Sequence, residues 1–173
     1  KEGRVTVITT ANDRVAGEVV LNPILDTGFK SNGSVLGHVP PVNPPAFTFV
    51  TGAFPNMLNA AAIKDGRVYL PSTAASPDGP VRFNVNVQAM LSVVDLATDA
   101  ESRNQTINMN RGINFEPAGP AKLFVAVPWA LAFAHHAPAG YVVASAANIV
   151  VKVLLDPTGT PTINAPGGAG QAS

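Results

Sequence analysis

The sequence predicts an all-β protein, and three observations carry that expectation. The 15 glycines and 16 prolines fall between short runs of β-branched and aromatic residues, the punctuation of many strands joined by turns. Val81–Val87 alternates apolar with polar residues, the period of a half-exposed strand. The third is an internal echo. Pro55-Asn56-Met57-Leu58, then Gly66-Arg67-Val68-Tyr69-Leu70, then Leu91 to Thr98 is answered by Pro128-Trp129-Ala130-Leu131, Gly140-Tyr141-Val142-Val143 and Val150 to Asp156. Such self-similarity marks a repeat architecture, in which each unit buries its apolar face against the next.

Composition sets the outer bounds. At 173 residues, 46% hydrophobic and 13% charged, the chain fits one domain with a real core and is too apolar for disorder. Its 11 basic and 11 acidic residues cancel to +0, which argues against a non-specific nucleic-acid binder, whose affinity needs basic surface. There is no cysteine, so disulfides, thiol catalysis, thiolate-bound zinc and thioether-linked haem are excluded within these residues, while the compartment stays open. No stretch approaches the roughly 18 consecutive apolar residues of a spanning helix. The chain starts at Lys1 rather than Met, which suggests processing or a fragment.

In order, Val5–Thr9 and Val15–Leu21 read as a hairpin around Ala11-Asn12-Asp13, because Asn and Asp tolerate left-handed backbone. Gly3-Arg4-Val5 repeats the start of Gly66-Arg67-Val68 and hints at a third, degraded copy of the unit. Residues 22–45, laden with Asn-Pro, Asn-Gly and Pro-Pro, read as a long surface connection, and Ala46–Val50 as a short strand. Asn56–Ile63 and Arg67–Pro71 form a hairpin across Asp65-Gly66. Ser76-Pro77-Asp78-Gly79-Pro80 is a turn, and Ala89–Leu96 a further strand. The polar, Asn-rich stretch 99–120 reads as an excursion from the repeating core, and 77–88 as an insertion. Leu123–Val127 resumes strand character, and 142–155 is a strand–turn–strand unit. From Asp156 onward the residues suit a linker or frayed end, so 1–166 is the β unit and 167–173 a Gly/Ala-rich tail.

The echo resembles the YVTN-type β-propeller repeat. That family's blade runs Pro-x-x-Leu/Val, an Asp-Gly turn, an aromatic-Val strand, then Val-x-Val-Val/Ile-Asp-x-x-Thr. Asp65-Gly66-Arg67-Val68-Tyr69-Leu70-Pro71-Ser72 and Ser92-Val93-Val94-Asp95-Leu96-Ala97-Thr98 match it well, and the second copy, from Ala139 to Ser145 and Asn148 to Val153, somewhat less well. The likeness covers Ala46–Pro166. Tyr69 and Tyr141 stand further apart than the roughly 40–45 residues of a regular blade, and the stretches 77–88 and 99–120 account for the excess. The resemblance implies two to three blades of an incomplete antiparallel β-propeller, whose partners are other protein chains or further blades that complete it. A β-sandwich is the alternative fold.

The candidate chemical motifs are few. His135-His136 occupies the place of the repeat's turn. Neighbours on a strand point to opposite faces, so two adjacent histidines chelate one ion poorly, and an exposed turn is the simpler reading. Ile24-Leu25-Asp26-Thr27-Gly28 has the apolar-apolar-Asp-Thr-Gly form of an aspartic protease turn, where two such Asp residues share a proton. Phe29 stands where Ser or Ala is usual, and the chain holds no second Asp-Thr/Ser-Gly, so a homodimer would have to supply it. Asn12-Asp13 and Asn104–Asn114 offer oxygen ligands to calcium without regular loop spacing. Phe47, Phe49, Phe54 and Trp129 are spaced as residues that pack between sheets. Asn32-Gly33-Ser34 is formally a glycosylation acceptor in a eukaryotic secreted protein.

The motifs therefore yield no catalytic, cofactor-binding or metal-binding residue. The resemblance brings an expectation of an exported bacterial protein, periplasmic or extracellular, of a kind sometimes joined to c-type cytochrome domains. A non-catalytic scaffold or interaction module in a larger, redox-type assembly follows from it. The alternatives are a sector of a propeller enzyme (a lactone hydrolase or a quinoprotein-type dehydrogenase) and a dimeric aspartic protease using Asp26.

Overall fold

Short polar residues reverse the chain where the sequence places them. Asp13, Asp65, Asp99 and Asn148 all hold positive φ, between 47 and 55°, which Asn and Asp tolerate better than most residues. A computed structural model describes residues 3–28, 30–31, 49–76, 86–111 and 124–163. Among them every regular element is a strand, and every ladder is antiparallel.

Asp13 closes the first hairpin, β1 (Gly3–Thr9) with β2 (Arg14–Leu21), whose register slips at a bulge between Val7 and Ile8. Lys30–Ser31 (β3) and Phe49–Val50 (β4) pair as a small ribbon. The central sheet follows: β5 (Phe54–Leu58), β6 (Ala62–Lys64), β7 (Arg67–Ala75), β8 (Val87–Asp95), β9 (Ala100–Glu101) and β10 (Ile107–Asn108). Its spine is the long β7–β8 ladder from Arg67↔Asp95 to Ala75↔Val87. The last sheet is a four-stranded meander in sequence order: β11 (Pro128–Phe133), β12 (Ala139–Ala144), β13 (Ile149–Leu155) and β14 (Pro161–Ile163).

The hairpin, the central sheet and the last sheet stack face to face, and side-chain alternation shows how. One face of β7–β8 offers Leu70 and Val94, which pack with Val19 and Leu21 of the hairpin. The opposite face offers Tyr69, Ala89, Leu91 and Val93, which pack with Val142, Val151, Val153 and Leu155 of the last sheet. From Gln88 to Val94, β8 is therefore buried without a break, as expected of a strand covered on both sides. The flanking strands β12 and β13 instead alternate buried and open residues.

Several expectations change. The stretch 99–120 was expected outside the core, yet β9 and β10 pair with β8, and Met109 and Asn110 are fully buried. Leu123–Val127 forms no strand in its described part, although Val125 is buried. Both backbone polar groups of Val125 are bonded by one side chain, Asn110, which accepts from Val125 N at 2.7 Å and donates to Val125 O at 2.9 Å. The amide of Asn110 thus replaces a ladder partner. Asp156 onward is not simply a frayed end: β14 caps the last sheet and buries Ile163. Within 22–45, Ile24 bridges Ala53 and Thr27 is buried, so this part belongs to the packed body. The expected strand 81–87 lies outside the described residues up to 85, as do Phe47, Asn32-Gly33-Ser34 and the tail 167–173.

Candidate interaction face

The last sheet has one sealed face and one open one. Gly140, Val142, Ala144, Val151, Val153 and Leu155 point to the central sheet. The residues between them, Tyr141 and Val143 on β12 with Val150, Lys152 and Leu154 on β13, point outward. Register sets them in cross-strand pairs: Val143 beside Val150, and Tyr141 beside Lys152. Tyr141 is 49% exposed and Val150 60%. Apolar residues on both sides of one strand are the mark of burial on both faces, so a wholly apolar β13 interrupted by one lysine was a legible signal of this surface. Lys152 makes no ion pair or hydrogen bond with the described residues.

Trp129 corrects an expectation. It is the extra residue of the bulge between Pro128 and Ala130, and it is 56% exposed rather than packed in the seam. The bulge turns the ring away while Leu131 and Phe133 take up the inner positions.

The seam is locked at one end by polar contacts. Tyr69, fully buried, meets Phe133 edge-on at 4.8 Å between ring centres and donates its hydroxyl to Gly159 O at 2.8 Å. Burial pushes its phenol above the usual 10.0, with the Arg67 guanidinium opposing. Gln105 donates to Thr158 O and Thr160 Oγ1, and Arg67 donates to Gln105. These groups fix the β13–β14 turn, whose Asp156 accepts from the Thr158 hydroxyl and from Thr160 N. Those bonds, the Thr158 hydroxyl foremost, hold the Asp156 carboxyl below its usual 3.8. On the other side Asn59 donates to Pro128 O, and the Lys64 ammonium to Ala134 O and His135 O. The cleft left at the end of the seam, about 340 Å³, is lined by Asp65, Arg67 and Asp156 among others.

The protease-like turn lines a second cleft of about 260 Å³, together with Glu101, Arg103, Thr106 and Arg111. Asp26 is exposed and its carboxylate accepts from Gly28 N at 2.8 Å, an ordinary turn contact. Thr27 points inward to Thr51 at 2.8 Å. Glu101 accepts from Asn22 N, Asn22 Nδ2 and Thr106 Oγ1, so it ties the end of β2 to β9. The cleft brings two carboxylates and two guanidiniums close, and most of their described bonds are structural.

His135 and His136 lie exposed in the β11–β12 turn, as the simpler reading has it. They do not diverge as neighbours on a strand would: Nδ1 of His135 and Nε2 of His136 are 3.1 Å apart. Among the described residues, no three His, Cys, Asp or Glu side chains gather as a metal site requires. Asn108, one of the suggested calcium ligands, is buried and donates to Thr27 O and Gln88 Oε1.

The chain matches no family model, and neither the curated proteins nor the solved structures contain a significant match to it.

Proposed function

We propose that this chain is a non-catalytic scaffold or interaction module, a sector of stacked antiparallel blades that functions inside a larger assembly. The observation that carries the reading is the open face of β12–β13. The same face of the preceding sheet is sealed by its successor, whereas this one leaves Tyr141, Val143, Val150 and Leu154 in water. Contiguous exposed apolar surface on a soluble protein marks a place where another surface docks. The four-stranded meander in sequence order is also the topology of a propeller blade, which supports the reading drawn from the YVTN-type resemblance. The partners are then other chains or further blades. Export to the periplasm or the cell exterior, and membership of a redox assembly, rest on that resemblance alone.

The test is the native mass of purified material by light scattering, paired with denaturing mass spectrometry and hydroxyl-radical footprinting of Trp129 and Tyr141. An assembly above 17.8 kDa in which Tyr141 is protected is the expected result. A monomer with both aromatic residues fully reactive would overturn the reading.

A further inference from the structure

We propose that the open face of β12–β13 is the seat of the β1–β2 hairpin of a second copy of this chain, joined head to tail. The inference rests on the stacked-sheet reading above and names its partner.

The first argument is equivalence. The echo sets Tyr69 against Tyr141, and the ladders place Val93 beside Tyr69 and Lys152 beside Tyr141, so Val93 matches Lys152 and Leu91 matches Val150. The face that Val93, Leu91 and Ala89 share is sealed by the next sheet. The matching face of the last sheet is open, and it differs by one buried valine exchanged for lysine.

The second argument is that the hairpin presents the complementary surface at the opposite end of the stack. Its inner residues, Val5, Val7, Val19 and Leu21, already pack on the central sheet. Its outer face pairs Ile8 with Val15, Thr6 with Glu18 and Arg4 with Val20, and Ile8 and Val15 are 56% and 65% exposed. Both open faces thus show an apolar row beside a row that carries one charge, and the hairpin's face adds Arg4 one row further on. Glu18, held at 2.7 Å by Arg4, is the acidic member, and Lys152 is the basic one. Set face to face, Val143 and Val150 meet Ile8 and Val15 while Lys152 meets Glu18. Matched rows of this kind fix register and choose the partner.

The third argument is closure. A contact between two different faces makes a ring or an open filament. Two copies of the three described layers give six, the hairpin standing as a two-stranded blade, inside the range of about 4–8 blades that close a propeller. The expected particle is therefore a dimer with two identical head-to-tail contacts.

Light scattering on the wild-type chain and five variants tests this. The wild-type should weigh about twice 17.8 kDa at tens of micromolar. Glu18→Lys and Lys152→Glu should each raise the dimer dissociation constant at least tenfold, and the double exchange should bring it back to within a few-fold of wild-type. Ile8→Asp, on a side chain that is exposed in the monomer, should also dissociate the dimer while the circular dichroism spectrum holds. It guards against Glu18→Lys merely loosening the hairpin by facing Arg4. A wild-type monomer would overturn the proposal. So would a dimer that Lys152→Glu or Val150→Asp breaks and Glu18→Lys and Ile8→Asp leave intact, since the open face would then meet itself. Protection of Tyr141 by a companion chain of another sequence would remove self-pairing and leave the module reading standing.

Discussion

Removing the side chain of Tyr69 should cost more stability than any other single truncation in the seam, and its two parts can be separated. The ring is fully buried between the central and last sheets and meets Phe133 at 4.8 Å; the hydroxyl donates to Gly159 O at 2.8 Å. Truncating a buried aromatic to alanine costs about 3–5 kcal/mol. A net hydrogen bond is worth about 0.5–1.5 kcal/mol. Tyr69→Phe should therefore lose about 1 kcal/mol, or about 2–4 °C in a protein of this size, and Tyr69→Ala about 4 kcal/mol. Urea denaturation followed by far-ultraviolet circular dichroism measures both. The pH dependence supplies a further check. Burial raises the Tyr69 phenol above 10.0 in the folded chain. Below pH 10.0 both folded and unfolded chains keep the proton, so Tyr69 adds no pH dependence there. Above it the unfolded chain loses the proton first, and stability falls as pH rises, by at most about 1.4 kcal/mol per pH unit. Tyr69→Phe should lack that component. A Tyr69→Ala variant within about 1.5 kcal/mol of wild-type, or a phenylalanine variant with an unchanged alkaline slope, would refute the packing of these two sheets through this ring.

Two other positions make independent predictions. Gly140 pairs with Phe133 across β11–β12, and a Cβ there would lie 2.6 Å from the Phe133 ring, so Gly140→Ala should destabilise by about 1–3 kcal/mol. Adding Phe133→Leu should recover part of that loss, and equilibrium unfolding of the pair would show the coupling. Asp156 ionises below 3.8 because the Thr158 hydroxyl, then Thr160 N and the other bonds of its turn, favour its charged form. Its stabilisation is present above the ordinary carboxyl pKa and lost as pH falls through the lowered one. An acid titration of Thr160 amide exchange should show protection declining below pH 3.8 in wild-type, and already absent in Asp156→Ala.

Local turn chemistry was legible in the sequence because it depends on a few adjacent residues. Asn12-Asp13 and Asp65-Gly66 mark reversals that the backbone makes with positive φ at Asp13 and Asp65. The echo likewise anticipated antiparallel units around β7–β8 and β12–β13. What escaped depends on contacts distant in sequence. Asn108 and Asn110 belong to a polar stretch and look solvated, yet their amides bond Thr27 and Val125 inside the body. Nothing local distinguishes an amide that finds such a backbone partner from one in water. Trp129 was misplaced for a similar reason: a one-residue bulge flips the side chains that follow it, and the bulge is set by pairing with β12. The candidate face was half legible. The apolar run of β13 was read as a strand, but its second apolar side acquires meaning only once the first is seen to be sealed.

Lys152 is the residue that decides how that second side is used. Were the face covered permanently by a seam like the one around Tyr69, an unpaired ammonium in the place of Val93 would be costly, since a buried charge must be matched or moved to water. Were the face simply solvent-exposed, Tyr141, Val143, Val150 and Leu154 would give no return for their apolar area. An apolar row with one central charge answers both conditions when the covering surface carries the opposite charge at the same height. The hairpin's outer face offers Glu18 for this role, beside the Arg4 that already holds it at 2.7 Å. This is also why the charge exchange is more discriminating than any apolar truncation: a hydrophobic loss weakens docking to every partner, whereas a sign reversal rescued by its mate identifies one.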